Sequence, residues 1–218
     1  MLKRLQVFGV ATAATLVMAA AASAAPIIDF QGPAAAGGSM VSSGGNIVGT
    51  NIPIATVFVD GFSSGNGSYS VIGTASATAG GVTTSTYGDL DFNTTTGAIT
   101  ISGCVVGLNI GFTGPAGACD PTTQLMTGTI TGFMDLGVGI LITSGLDTKP
   151  AFASALGFPS NMPFSMAMSI STGPNFTSGS GTAASSTDIR NVPVPEPATM
   201  MLLGTGLLAA FRARRRKA

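Results

Sequence analysis

The chain has 218 residues, 45% of them apolar and only 8% charged, which is enough to pack one domain with appendages and is not the composition of a disordered chain. Its basic residues cluster at the two ends, so the middle sets only Lys149 and Arg190 against all nine acids, a net charge of −7. Such a body lacks the basic surface that phosphate contacts require, which argues against nucleic acid, and the absence of His removes the commonest general base and metal ligand.

Residues 1–24 open with Lys3 and Arg4, continue through an apolar run from Leu5 to Met18, and end on the small-residue pattern Ala22-Ser23-Ala24. A basic start, an apolar core and an A-x-A site make a secretory signal peptide, read by the translocon and cut after Ala24. No Cys stands near that site and Lys3-Arg4 is not a twin-Arg signal.

Residues 25–176 are expected to form one extracellular β-rich domain, because the segment is rich in Gly, Ser and Thr and poor in strong helix formers. Strands are expected over Ala55–Asp60, Tyr69–Gly73 and Val82–Tyr87. A hairpin follows, in which Asp89–Asn93 and Ala98–Ser102 flank the turn Thr94–Gly97 and turn Leu90, Phe92, Ile99 and Ile101 inward. Further strands are expected over Cys104–Phe112, Leu125–Asp135 and Val138–Thr143. One short helix is expected over Pro150–Leu156, with Asp147 or Thr148 near its cap and Gly157 past its end. Phe164–Ser171 alternates large and small residues for eight positions, a half-buried strand with Phe164, Met166, Met168 and Ile170 inside. Short strands punctuated by turn residues suggest a β-sandwich or jelly roll. The echo of Thr96–Thr100 in Thr127–Thr131 raises a stacked repeat, although two copies fall short of the three that stacking needs. Residues 177–193, rich in Ser, Gly and Pro, read as an extended linker.

Without His no Ser-His-Asp or Cys-His arrangement exists, and Lys149, the body's single lysine, reads as a solvated side chain in a turn. Asp89 and Asp91 share a strand face that is expected to face solvent and discourage edge pairing, with a hydrolytic carboxylate pair as the sharper alternative. Asp89-Leu90-Asp91-Phe92-Asn93 also spaces oxygens like a calcium loop, but Thr94 and Thr100 occupy the places of the turn glycine and the bidentate glutamate. The Asn-x-Ser/Thr triplets at Asn66, Asn93 and Asn175 are given no role. Cys104 and Cys119, on either side of Gly114-Pro115-Ala116-Gly117, are expected to form one disulfide in an oxidising compartment, and no catalytic residue, metal or cofactor is assigned.

Residues 194–218 carry three ordered parts: Val194-Pro195-Glu196-Pro197, the apolar run Ala198–Phe211, and a tail with Arg212, Arg214, Arg215, Arg216 and Lys217. As a helix the apolar run covers about 21 Å, short of the ~30 Å hydrocarbon core, so it is a marginal anchor. The basic tail holds the end in the cytoplasm and leaves the body outside. This order resembles the PEP-CTERM sorting domain of Gram-negative bacteria. The resemblance implies that an exosortase, a membrane-embedded protease of the transpeptidase kind, recognises Pro195-Glu196-Pro197 in cells that also make exopolysaccharide. The chain would then be a substrate held briefly in the inner membrane by a short transmembrane helix, and afterwards a non-enzymatic surface or matrix protein. The competing expectation is a secreted carbohydrate-binding or glycan-hydrolysing β-sandwich that uses exposed carboxylates with Tyr69 and Tyr87.

Overall fold

The computed structural model describes residues 26–79, 81–113, 117–172, 182–184, 186–194 and 204–207. The expected signal peptide over residues 1–24 and, apart from Val194 and residues 204–207, the sorting segment lie outside them. No helix among the described residues is long and apolar enough to cross a membrane.

Among the described residues up to Val194, sixteen strands and one helix of seven residues follow in order. They are β1 (Ile27–Gln31), β2 (Ala36–Ser43), β3 (Asn46–Ile54), β4 (Thr56–Asp60), β5 (Gly67–Ile72), β6 (Ala75–Ala79), β7 (Val82–Asn93), β8 (Ala98–Ser102), β9 (Cys104–Val105), β10 (Phe112–Thr113), β11 (Ala118–Cys119), β12 (Gln124–Asp135), β13 (Gly139–Thr148), α1 (Pro150–Leu156), β14 (Phe164–Ser171), β15 (Thr182–Ala184) and β16 (Ser186–Pro193). Among the described residues fourteen of the strands make one sheet in the order β15-β2-β3-β7-β8-β12-β13-β14-β16-β1-β4-β5-β9, with β6 joining β2 and β7. Every pairing in it is antiparallel.

The connection between β3 and β4 shows that this sheet cannot be flat. The two strands stand eight places apart in the sheet order, yet Ala55 alone joins them. Eight strand spacings of ~4.8 Å would separate them by about 38 Å in a flat sheet, whereas one residue spans ~3.5 Å. The sheet therefore folds back on itself, and Ala55 marks the crossing, donating its N–H to Gln31 and accepting from Val71. The mostly-β domain expected from the sequence is present. Fourteen of the described strands form one continuous sheet that folds back on itself, and β10 and β11 pair apart from it.

All eight residues expected inside are buried, none exposing more than 3%: Leu90, Phe92, Ile99, Ile101, Phe164, Met166, Met168 and Ile170. The hairpin register sets Leu90 against Ile101 and Phe92 against Ile99, as the alternation requires. Ile28, Phe30, Val57, Val59, Ile140, Ile142 and Ile189 complete the core from strands that meet these in the fold. Helix α1 closes one end, setting Phe152 edge-on to Phe30 at 5.9 Å between ring centroids. Its first residue is Pro150, and it ends on the left-handed Gly157 at φ 76°. The expected cap differs: Lys149 holds that place and makes no side-chain capping bond.

Several expectations are corrected. Val82–Tyr87 and Asp89–Asn93 are one twelve-residue strand, β7, because Gly88 between them lies flat against Val71 and leaves no room for a side chain. Cys104–Phe112 is a strand for only two residues before the chain turns back at the Val105–Ile110 bridge. The echoing segments lie on antiparallel neighbours β8 and β12, with Thr100 opposite Thr127, which is not the parallel stacking of a repeat coil. The linker expected over 177–193 gives way in its second half to β16, held between β14 and β1. Strands β2 and β3 escape a pattern reading because their glycines serve close packing: a Cβ on Gly49 would lie 2.2 Å from the Phe92 ring.

Phe30→Ala removes the ring that joins β1 to the helix and leaves a cavity, so it is expected to lower stability by about 3–5 kcal/mol in chemical denaturation of the purified body.

Candidate functional site

The sorting segment leaves the body at one defined place. Strand β16 sets Pro193 opposite Phe164 of β14, and the Val194 N–H donates to the Pro163 carbonyl at 2.9 Å. Pro195 follows at once, so Pro195, Glu196 and Pro197 begin within two residues of a strand that runs between two others. Strand β1 pairs antiparallel with β16, Ile28 opposite Asn191, which puts the start of the described body beside its exit. The chain positions from which both expected membrane signals continue in sequence, Pro26 for the one cut after Ala22-Ser23-Ala24 and Val194 for the one that ends in Arg212, Arg214, Arg215, Arg216 and Lys217, thus follow from paired strands β1 and β16.

Cys104 and Cys119 are bonded, with Cα atoms 5.8 Å apart, and the bond ties β9 at the sheet edge to the small β10–β11 hairpin. Closing a loop of this length contributes about 3 kcal/mol on the chain-entropy estimate. The fixed loop carries Asp120, whose Oδ1 accepts from both the N–H and the hydroxyl of Thr122. Those two bonds hold its carboxyl below the usual range.

Next to that loop a cavity of about 310 Å³ is lined by Thr74, Asp89, Thr100, Ser102, Thr122 and Gln124. Asp89 and Asp91, on one face of β7, do not act alike there. Asp91 is exposed, and its Oδ1 accepts the N–H of Asn51, whose left-handed φ of 51° makes a bulge in β3. Asp89 is half-buried, with its Oδ1 lacking a hydrogen-bond partner among the described residues. Partial loss of water, and then the Asp91 charge, push its carboxyl up to about 6 against a weaker opposing bond from Thr74. The expected solvated face thus holds for Asp91 and is corrected for Asp89, which the disulfide-anchored loop half covers. The arrangement is one carboxyl among hydroxyl and amide groups, not two facing carboxylates.

The calcium-loop spacing is spent on local structure: Asn93 Oδ1 accepts the N–H groups of Thr95 and Thr96, and Asp91 is engaged with Asn51. Among the described residues no three His, Cys, Asp or Glu side chains come together. Asn66 braces its own loop through the N–H and carbonyl of Phe62, and Asn175 lies outside the described residues. The Tyr69 hydroxyl donates to the Gly65 carbonyl while its ring packs on the core, so it is not a free stacking platform.

Lys149 is the largest departure from expectation. It is wholly buried, paired with buried Asp147, and its ammonium stands 4.3 Å over the Phe164 ring. The inward alternation of Gly145 and Asp147 on β13 carries on one residue past the strand and points Lys149 into the core. Nothing in the sequence distinguished this from a turn lysine except its being the body's single one.

The family described as PEP-CTERM protein-sorting motif matches residues 193–217. The match begins on the last residue of β16, spans Val194, Pro195, Glu196, Pro197 and all five basic tail residues, and stops one residue before Ala218. No curated protein and no solved structure matches the chain.

Because Asp89 is protonated more readily in the fold than in the unfolded chain, its contribution to stability falls as pH rises from about 4 through 6. Asp89→Asn is therefore expected to raise the melting temperature at pH 7 and flatten that pH dependence, by on the order of 1 kcal/mol once solvent screening is allowed for. Thermal melts of both proteins between pH 4 and 7 check this.

Proposed function

We propose that the chain is exported by its N-terminal signal, held briefly in the inner membrane by the segment Ala198–Phe211, and cut by an exosortase at or near Pro195-Glu196-Pro197. The β-rich body then serves, without catalysis, at the cell surface or in the extracellular matrix, in association with exopolysaccharide. The observation that carries this reading is the sorting-motif match over residues 193–217, placed directly after the last strand of the body.

Three physical features support it. The apolar run is too short for a comfortable permanent anchor. The three prolines at 193, 195 and 197 hold the intervening chain extended, the form a protease groove accepts. The basic tail stalls transfer until the cut is made. The hydroxyl-lined cavity around Asp89 favours a second reading, in which the body binds a saccharide there. The lack of Trp and the inward packing of Tyr69 weigh against it.

In an exosortase-bearing host, Glu196→Ala is expected to leave unprocessed protein in the inner membrane, with intact mass extending to Ala218. Wild type is expected to end near Pro197. A wild-type protein that still carries Arg212–Lys217 outside the cell would contradict the reading, as would normal processing of the Glu196→Ala variant.

A further inference from the structure

The Asp147–Lys149 pair is an unusual thing to bury as ions. Neither side chain is solvent-exposed, and the two project from the same inner face at the end of β13. An ion pair survives such burial when the remaining lone pairs and protons find partners, and here Asp147 Oδ2 has none among the described residues. Loss of hydration drives both groups toward their neutral forms, raising the Asp147 carboxyl and lowering Lys149 to about 8 even against their mutual attraction. The neutral pair is an amine nucleophile held in contact with a carboxylic acid, away from water, under an aromatic ring.

We propose that Lys149 and Asp147 condense to an intramolecular amide, a covalent cross-link formed after the body folds. A proton passes from the Lys149 ammonium to Asp147 Oδ2, and the freed Nζ lone pair attacks Cγ to form the carbon–nitrogen bond. A second proton moves from nitrogen to the same oxygen, the Cγ–Oδ2 bond breaks, and one water leaves with that bond's electrons. Asp147 Oδ1 stays as the amide carbonyl. The atoms balance without oxidant, reductant or activating group: one ammonium and one carboxylate give one amide and one water.

Three observations converge on this product. The unpartnered oxygen is the one that departs. The amide replaces two buried charges by a neutral group, removing the desolvation penalty that the ion pair carries. Contact held by a packed core supplies the high effective concentration that an uncatalysed acyl transfer needs.

The test is the mass of the exported, processed protein after reduction of its disulfide. The expected value is one water below that of the sequence, with the loss confined to a chymotryptic peptide spanning 134–152. Lys149 is the only lysine between the two end segments. In denatured protein an amine-specific reagent should therefore label the N-terminus alone, and Asp147→Ala should restore labelling at Lys149. Full sequence mass with a reactive lysine would overturn the proposal and leave a buried ion pair. So would a water loss that hydroxylamine reverses, which marks a cyclised aspartate. The wild-type result decides the matter even if the variant does not fold.

Discussion

The body depends on the pairing of its first strand with its last. Without the β1–β16 ladder, the sheet order falls into one run from β15 to β16 and another of β1, β4, β5 and β9. The seam sets Ile28, Asp29, Phe30 and Gln31 opposite Asn191, Arg190, Ile189 and Asp188, and four of those residues, Ile28, Phe30, Ile189 and Asn191, are completely buried. Asn191 marks it with a polar clamp, donating its side-chain amide to the Ile28 carbonyl at 3.1 Å while its backbone N–H reaches Asp29. Contacts of such sequence separation form late, because loop closure must be met before they contribute. On the proposed export, the sheet would be completed only once β16 has emerged from the membrane.

That order gives the sorting segment a physical meaning. A motif at the end of a long stalk would be cut independently of folding, but here Val194 is still bonded to Pro163 and the next residue begins the motif. The processing enzyme would meet a substrate whose folded surface stands close to the membrane. Near that exit Phe164, paired with Pro193, packs edge-on to Phe158, which in turn meets Phe62, and the buried Lys149 stands over the Phe164 ring. Covalent closure of the Asp147–Lys149 pair would make that cluster neutral.

How much of this could be read from residues alone follows from how strongly each local pattern states its face. Phe164–Ser171 alternates without interruption, and all four of its large residues are buried. The hairpin of β7 and β8 was legible because its turn and both inner faces agree. Strands β2 and β3 were not, since Gly37 and Gly49 are small to admit neighbouring atoms, and a small residue records packing without revealing a strand. Strand β16 was hidden for a related reason: Thr187, Ile189 and Asn191 face inward, and only one of them is a large apolar residue. Lys149 failed as a reading because charge outweighs position in any pattern argument, whereas the fold kept the position and paired the charge. The C-terminal sorting motif was legible from order alone, which needs no fold.

Amide hydrogen exchange across residues 186–193 of the processed protein tests the account most directly. If β16 is the strand that closes the sheet, its amides from Asp188 to Val192 exchange as slowly as those of β14. Exchange on the time scale of an unstructured chain would make this segment a stalk and contradict the account.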